Sequence, residues 1–217
     1  MCLRCNKYLA SFWVQTLLNK VPILYFQLSK CMNIQWVLAD NLILDPTADI
    51  MRMKRGGAFW GSWKTWRAYN TDNVICHDSS KAQELIKRAF QATCNFYIPN
   101  SAYISLNRPQ GVRLYEGDFL GHDVNNQDEI VAMNLAASIC DVVLLIGFDW
   151  TEKEKLADKF EEVKARNYRG LVTQAIKSTP HVQWIVVDHP NDFMPELAEL
   201  PNIGKDSFEN VLKILND

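Results

Sequence analysis

The chain has 217 residues, of which 48% are hydrophobic and 22% are charged. That balance is typical of a globular domain with a substantial core, and it excludes a small scaffold that depends on disulfides. The formal net charge of −2 provides no general attraction to nucleic acid or to an anionic membrane, so we expect neither as a partner.

Residues 1–31 differ from the rest, because they carry four basic residues and no acidic one. A signal peptide would need a small-residue cleavage site, and the sequence at 29–31 is a poor one. A membrane span over residues 8–28 would place Lys20 near the bilayer centre, at a cost of roughly 3 kcal/mol. We expect an N-terminal extension in front of a single α/β domain at residues 32–217. It is either sequence upstream of a natural start at Met32 or an amphipathic helix on the domain surface.

The six cysteines predict no metal site. Cys2 and Cys5 have the spacing of half a zinc knuckle but lack a second pair. The cysteines at 76, 94 and 140 lie at or beside predicted strands, where reduced core thiols are expected, and this favours the cytoplasm.

Apolar runs alternate with amphipathic helical patterns along the chain. Strands are predicted at residues 34–39, 73–76, 95–98, 112–115, 142–146 and 183–187. Helices are predicted at 78–90, 126–140, 151–164, 168–177 and 206–215. The run at 142–146 has no polar alternation, so it needs cover on both faces. We therefore predict a three-layer, Rossmann-like α/β fold, with a mostly parallel sheet and helices on both faces.

Polar residues follow four of the predicted strands. They are Asp40 and Asn41, His77 and Asp78, Asp149 and Trp150, and Asp188 and His189. In open α/β sheets ligands bind outside the carboxyl ends of the strands, so these groups are candidates for one site. Each also has a structural interpretation, such as a helix cap for Asp78 or a strand end for Asp188. His189 is the candidate general acid or base because imidazole titrates near neutral pH.

A tryptophan-rich passage at residues 56–67 supplies two further candidates. Trp60 and Trp63 would stack on a base or sugar ring, with Lys64 and Arg67 facing phosphate. The alternative is a helix or loop that wedges its aromatic rings against the sheet. The glycines form neither a dinucleotide fingerprint nor a P-loop.

The segment at residues 126–150, which begins with Asn126 and Gln127 and ends at Trp150, resembles the helix-strand unit of bacterial sialyltransferases and motility-associated glycosyltransferases. In those families a helix of small residues runs into an apolar strand that ends in Gly, an apolar residue, Asp and often an aromatic. Gly147, Phe148, Asp149 and Trp150 stand in these places. The resemblance implies a nucleotide-sugar enzyme that binds its donor at the strand ends. Asp40 and Asn41 stand where the family has a Gly-Asn-Gly-Pro-Ser turn.

The leading hypothesis is a domain that binds a nucleotide or nucleotide sugar at the carboxyl edge of its sheet. Asp149 and Asn41 would orient hydroxyls, and His189 would be the base of any reaction. One alternative is a non-enzymatic protein that docks through the tryptophan-rich segment. Another is a nucleoside-processing or TIR-like hydrolase, which would need a glutamate in the cleft. The sequence identifies no cofactor.

Overall fold

The computed structural model describes residues 32–40, 52–54, 56–116, 127–148, 159–188 and 195–216. These residues form an eight-stranded sheet in which all neighbouring strands run parallel. Strands β1 to β8 are Ile34–Leu38, Ala58–Ser62, Asn73–Ile75, Asn95–Pro99, Arg113–Tyr115, Val142–Ile146, Gln183–Val187 and Ile203–Asp206. The described helices α1 to α7 are Trp63–Tyr69, Ser79–Lys87, Asn100–Ser105, Gln127–Ala137, Lys159–Ser178, Pro195–Ala198 and Phe208–Asn216.

The strand order is β5-β4-β3-β2-β1-β6-β7-β8. The chain builds outward from β1 to β5, returns through α4 to place β6 on the other side of β1, and then builds outward again. The order therefore reverses between β1 and β6, whose ends lie side by side with Leu38 opposite Ile146. The predicted three-layer, Rossmann-like fold is confirmed.

Helices cover both faces of the central strands. In β1, Trp36 and Leu38 point into the layer formed with α7, whereas Val37 lies in the layer formed with α4 and α5. All five residues of β1 and all five of β6 are buried. This explains why the β6 sequence is a continuous apolar run and why β1 is apolar at every position except Gln35, whose buried amide oxygen accepts the Trp60 indole N–H.

Helix α4 connects β5 to β6 and packs across β1, β2 and β3. Its middle consists of small and apolar residues that are almost fully buried, namely Ile130, Val131, Ala132, Met133, Ala136 and Ala137. A helix that leads into a parallel strand runs antiparallel to it. The amino end of α4 therefore lies at the carboxyl edge of the sheet.

Two strands were not predicted. β2 lies inside the tryptophan-rich passage, where Phe59 and Trp60 are buried in opposite layers of the sheet. The strand ends at Ser62, whose side chain caps α1 through a capping box with Thr65. β8 has only one strongly apolar residue, Ile203, because it is an edge strand that pairs with β7 alone.

The predicted helix at 151–164 falls partly outside the described residues, whereas that at 168–177 lies within them. The described residues from Lys159 to Ser178 form the single helix α5, without the predicted break between the two helices. Residues 1–31 also lie outside the described residues. None of the described helices is both long enough and apolar enough to cross a bilayer.

Candidate functional site

The first turn of α4 ties together the carboxyl ends of two strands. The backbone N–H of Asp40, two residues beyond β1, donates to Glu129 Oε1 at 2.7 Å. The backbone N–H of His77, two residues beyond β3, donates to Asp128 Oδ1 at 2.7 Å. Neighbouring acids on one helix therefore satisfy the amides at two separate strand ends.

The side chain of Asp40 connects β1 to the start of α1. Its Oδ1 accepts hydrogen bonds from the hydroxyls of Ser62 and Thr65, the latter at 3.2 Å. Its Oδ2 lies 3.1 Å from Lys64 Nζ. The Asp40 side chain is only 11% exposed, whereas that of Lys64 is 58% exposed. Lys64 therefore lies at the solvent-facing side of this group of side chains, and Asp40 lies beneath it.

Two tyrosines extend the cluster on either side. Tyr168 of α5 donates its hydroxyl to Glu129 Oε2 at 2.8 Å. The hydroxyl of Tyr115, at the end of β5, lies 3.1 Å from His77 Nδ1. We use the name edge cluster for the set formed by Asp40, Ser62, Lys64, Thr65, His77, Tyr115, Asp128, Glu129 and Tyr168.

The two acids of α4 hold their protons more tightly than ordinary carboxyls. Loss of solvation raises the pKa of Asp128 to about 7, against the opposing effect of the His77 N–H. The same cause raises the pKa of Glu129 to about 7, against the Asp40 N–H and the Tyr168 hydroxyl. The charge of Asp40 adds to both increases. The pKa of Lys64 is raised, mainly by its hydrogen bond to Asp40.

This arrangement places acceptors and exchangeable protons at one edge of the sheet. Asp40 has two acceptor oxygens held by hydroxyl and ammonium groups, a geometry that also suits sugar hydroxyls. A carboxyl whose pKa is near 7 gains or loses a proton near neutral pH, as a general acid or base must do. The edge cluster therefore combines recognition groups with groups that are able to transfer protons.

The structure brings together two of the predicted site residues, Asp40 and His77, and directs two others elsewhere. The exposed Asp78 caps α2 by accepting a hydrogen bond from the Lys81 N–H at 3.0 Å. Asp188 has a positive φ of 52°, and its carboxylate accepts the Phe208 N–H at the start of α7 at 2.9 Å. The helix cap predicted for Asp78 is confirmed. Asp188 follows the end of β7, and its contact with the start of α7 was not predicted.

The tryptophans do not offer open faces for stacking. Trp60 is 2% exposed, its indole N–H donates to Gln35 Oε1 at 2.8 Å, and its ring packs on Tyr97. Trp63 is half-buried, with Lys81 Nζ 4.4 Å from its ring centroid and the Arg67 guanidinium carbon at 5.1 Å. The stacking prediction for Trp60 is wrong because the indole is a core side chain. Because of these contacts, Trp60 and Trp63 expose little aromatic surface through which a partner protein could dock.

The remaining predicted site residues lie outside the described part of the chain. They are Asn41, Asn126, Asp149, Trp150 and His189. Gln127 is the first residue of α4, and its side chain is likewise outside the described part.

Sequence reasoning missed Asp128 and Glu129 as site residues, because acids in a first helical turn usually favour the helix dipole. One available signal was the composition of α4. A helix with so apolar a middle must be buried against the sheet. The acids in its first turn are therefore expected to contact groups at the carboxyl ends of the strands. Tyr115 and Tyr168 carried no comparable signal, because their partners are 38 and 39 residues away.

A polar groove of about 400 Å³ lies at the opposite, amino edge, between the residues that precede β3 and those that precede β4. It is lined by Asn70, Thr71, Asp72, Ala92, Thr93, Cys94 and Asn95. Burial raises the pKa of the Cys94 thiol to about 11, so this sulfur is a poor nucleophile. The carboxyl edge is the better candidate, because titratable groups with perturbed pKa values meet there at the strand-order reversal.

In the described part of the chain, no three His, Cys, Asp or Glu side chains are grouped as metal ligands. No protein-family model, curated protein or solved structure matches this chain.

Proposed function

We propose that the chain binds a nucleotide or nucleotide sugar at the carboxyl edge of its sheet. The observation that carries the proposal is the position of the edge cluster beside the reversal of strand order between β1 and β6. In open α/β sheets this reversal opens a crevice, which is the usual place for a ligand. The resemblance of residues 126–150 to glycosyltransferases supports the nucleotide-sugar form of the proposal.

Each side of the crevice has a role in this proposal. On the β1 side, Asp40 accepts hydroxyls of the ligand while Lys64 continues to hold its Oδ2. Asp149, three positions after the end of β6 in the sequence, is the proposed acceptor of a second hydroxyl. Asn41 assists Asp40, and His189 remains the proposed base of a transfer reaction.

Ligand-dependent thermal stabilisation tests the proposal. A ligand that binds only the folded chain raises its melting temperature by mass action, and at 100 times its Kd it adds about 2.7 kcal/mol. We expect at least one member of a panel of nucleosides, nucleotides and nucleotide sugars to produce such a shift. The Asp40→Asn variant should lose it, because the neutral amide is a weaker acceptor for hydroxyls.

Asp72→Asn is the matched control for that variant. The Asp72 carboxylate is likewise a hydrogen-bond acceptor, but it accepts the Phe59 backbone N–H at 2.9 Å and lies at the amino edge. The control should retain the ligand-induced shift. Absence of any shift across the panel at millimolar concentration would contradict the proposal, and so would equal losses in the two variants.

A nucleoside-processing hydrolase is the second candidate function. Two carboxyls at the carboxyl edge of the sheet, those of Asp128 and Glu129, have pKa values of about 7. This pair favours the hydrolase, because Glu129 is the glutamate that such an enzyme would need. Chromatographic detection of free base after incubation with nucleosides tests this candidate. Glu129→Gln should abolish release, whereas substitution of the partly exposed Glu84 on α2, Glu84→Gln, should preserve it. Equal release by both variants would contradict a catalytic carboxyl at position 129.

We also propose a cytoplasmic location. It is supported by the free thiols of the three described cysteines, Cys76, Cys94 and Cys140, which suit a reducing compartment. To test this location, the chain is expressed with an epitope tag, and the tag is detected in the separated cell fractions.

A further inference from the structure

We infer that the ligand presents an uncharged, hydroxyl-bearing part, and not a phosphate, to the space between the ends of β1 and β3. This inference rests on the proposed function, because it names the chemical class that the same edge accepts. In a nucleotide or nucleotide sugar, the ribose or the transferred sugar faces Asp40, and the phosphates point away from this space into solvent, where the protein adds little to their binding.

The backbone amides at the ends of β1 and β3 already have acceptors within the protein. Phosphate sites in α/β proteins use free N–H groups at strand ends and helix starts, which point at the anion. Here the N–H of Asp40 already donates to Glu129, and that of His77 already donates to Asp128. Carboxylates of the protein itself therefore occupy two amides that a phosphate would use.

The charges of the edge cluster also disfavour a phosphate. The edge cluster contains three carboxyls, those of Asp40, Asp128 and Glu129, and only one lysine. The Lys64 ammonium is already paired with Asp40 at 3.1 Å. Glu129 is 2% exposed, so solvent screens its charge poorly. Above about pH 7, where Asp128 and Glu129 are ionised as well as Asp40, a dianionic phosphate that entered this space would meet three like charges at short range.

The acceptor oxygens of Asp40 are complementary to a ligand that carries hydroxyl groups. Carboxylate oxygens are acceptors only, so a ligand that carries hydroxyl donors complements them. Acidic side chains at sheet edges hold ribose hydroxyls in dinucleotide-binding folds for this reason. Asp40 is suited to the role because Ser62 and Thr65 fix its Oδ1 and Lys64 holds its Oδ2.

Matched pairs of nucleoside and nucleoside 5′-monophosphate test the inference on the full chain. Adenosine, uridine and cytidine are titrated beside their monophosphates by calorimetry, with inorganic phosphate as a separate competitor. We expect each bound monophosphate to have a Kd no more than about three-fold tighter than that of its nucleoside. We also expect millimolar inorganic phosphate to leave nucleoside binding unchanged.

The outcomes separate the inference from the proposed function. A monophosphate that binds more than about three-fold tighter than its nucleoside overturns the inference and leaves the proposed function intact. Competition by inorganic phosphate does the same. If neither nucleosides, nor nucleotides, nor nucleotide sugars bind, the proposed function fails and the inference fails with it. These comparisons use the unmodified chain, so a folding defect cannot account for them.

A charge-removing variant adds an independent measurement. Asp128→Asn keeps an oxygen acceptor for the His77 N–H but removes a negative charge. It should tighten binding of a monophosphate relative to its nucleoside by about three-fold or more. Circular dichroism verifies that the variant is folded. An unchanged ratio of the two dissociation constants in the folded variant counts against repulsion by Asp128.

Discussion

Replacing Glu129 with glutamine should change how the stability of the protein depends on pH. Glu129 is 2% exposed, and its pKa in the folded chain is about 7, against an ordinary value of 4.5. The folded chain therefore binds a proton at Glu129 more tightly than the unfolded chain does. Its contribution to stability is complete below pH 4.5 and is lost as the pH rises to about 7.

The size of the effect follows from the difference in pKa. At about 1.4 kcal/mol per pH unit, the free energy of unfolding should fall by about 3 kcal/mol through this one residue. The glutamine of the Glu129→Gln variant cannot ionise, although its amide oxygen still accepts the Asp40 N–H. The variant should therefore gain about 3 kcal/mol relative to the parent chain between pH 4.5 and about pH 8.

Urea unfolding monitored by tryptophan fluorescence measures this difference, because Trp36 and Trp184 are fully buried. Curves are recorded for both chains at about pH 5 and about pH 8, on either side of the pKa of Glu129. Glu84→Gln is the control, because Glu84 lies on α2 and its pKa is lowered by Lys81 instead. If the difference in stability between Glu129→Gln and the parent is the same at both pH values, the raised pKa is refuted.

Three further substitutions test the fold by the same unfolding assay. Asn202→Ala removes an amide that donates to three backbone carbonyls around the end of α5, each at 3.1 Å, and should cost about 2 kcal/mol. A loss below about 0.5 kcal/mol would contradict a buried role for this side chain. Asp188→Ala removes the carboxylate that accepts the Phe208 N–H and should cost about 1 kcal/mol, whereas unchanged stability would show that the cap is unimportant. Gly57→Ala places a Cβ 2.1 Å from the carbonyl oxygen of Ile34 at a φ of 155°, so it should cost at least about 2 kcal/mol, and a neutral result would refute this close approach.

Local pattern was sufficient to predict the central architecture. The run at 142–146 has no polar residue and that at 34–39 has only Gln35, because β6 and β1 are buried on both faces. The helix predicted at 126–140 corresponds to α4, and its apolar middle forecasts its burial. The position of Asp40 and His77 just beyond strands also placed both at the carboxyl edge.

Local pattern failed where pairing with a neighbour stabilises a segment. β8 is held by the backbone of β7, and no apolar alternation within residues 203–206 reveals this. In β2, Trp60 is buried by α4 and Tyr97, so it is not an exposed ring. The burial of an aromatic side chain depends on its neighbours in space, which single-sequence reasoning does not provide.

The sequence by itself determined the class of fold, the direction of the sheet and the presence of polar residues at its carboxyl edge. These depend on the period of apolar residues and on the residue types at strand ends, both of which are local. Only the tertiary structure decided which of those residues meet. The Asp40 amide and its acceptor Glu129 are 89 positions apart, and the His77 amide and Asp128 are 51 apart. These contacts form because α4 packs across β1, β2 and β3 and places its first turn at the carboxyl ends of β1 and β3. The order of the strands thus brings residues together that are distant in the sequence.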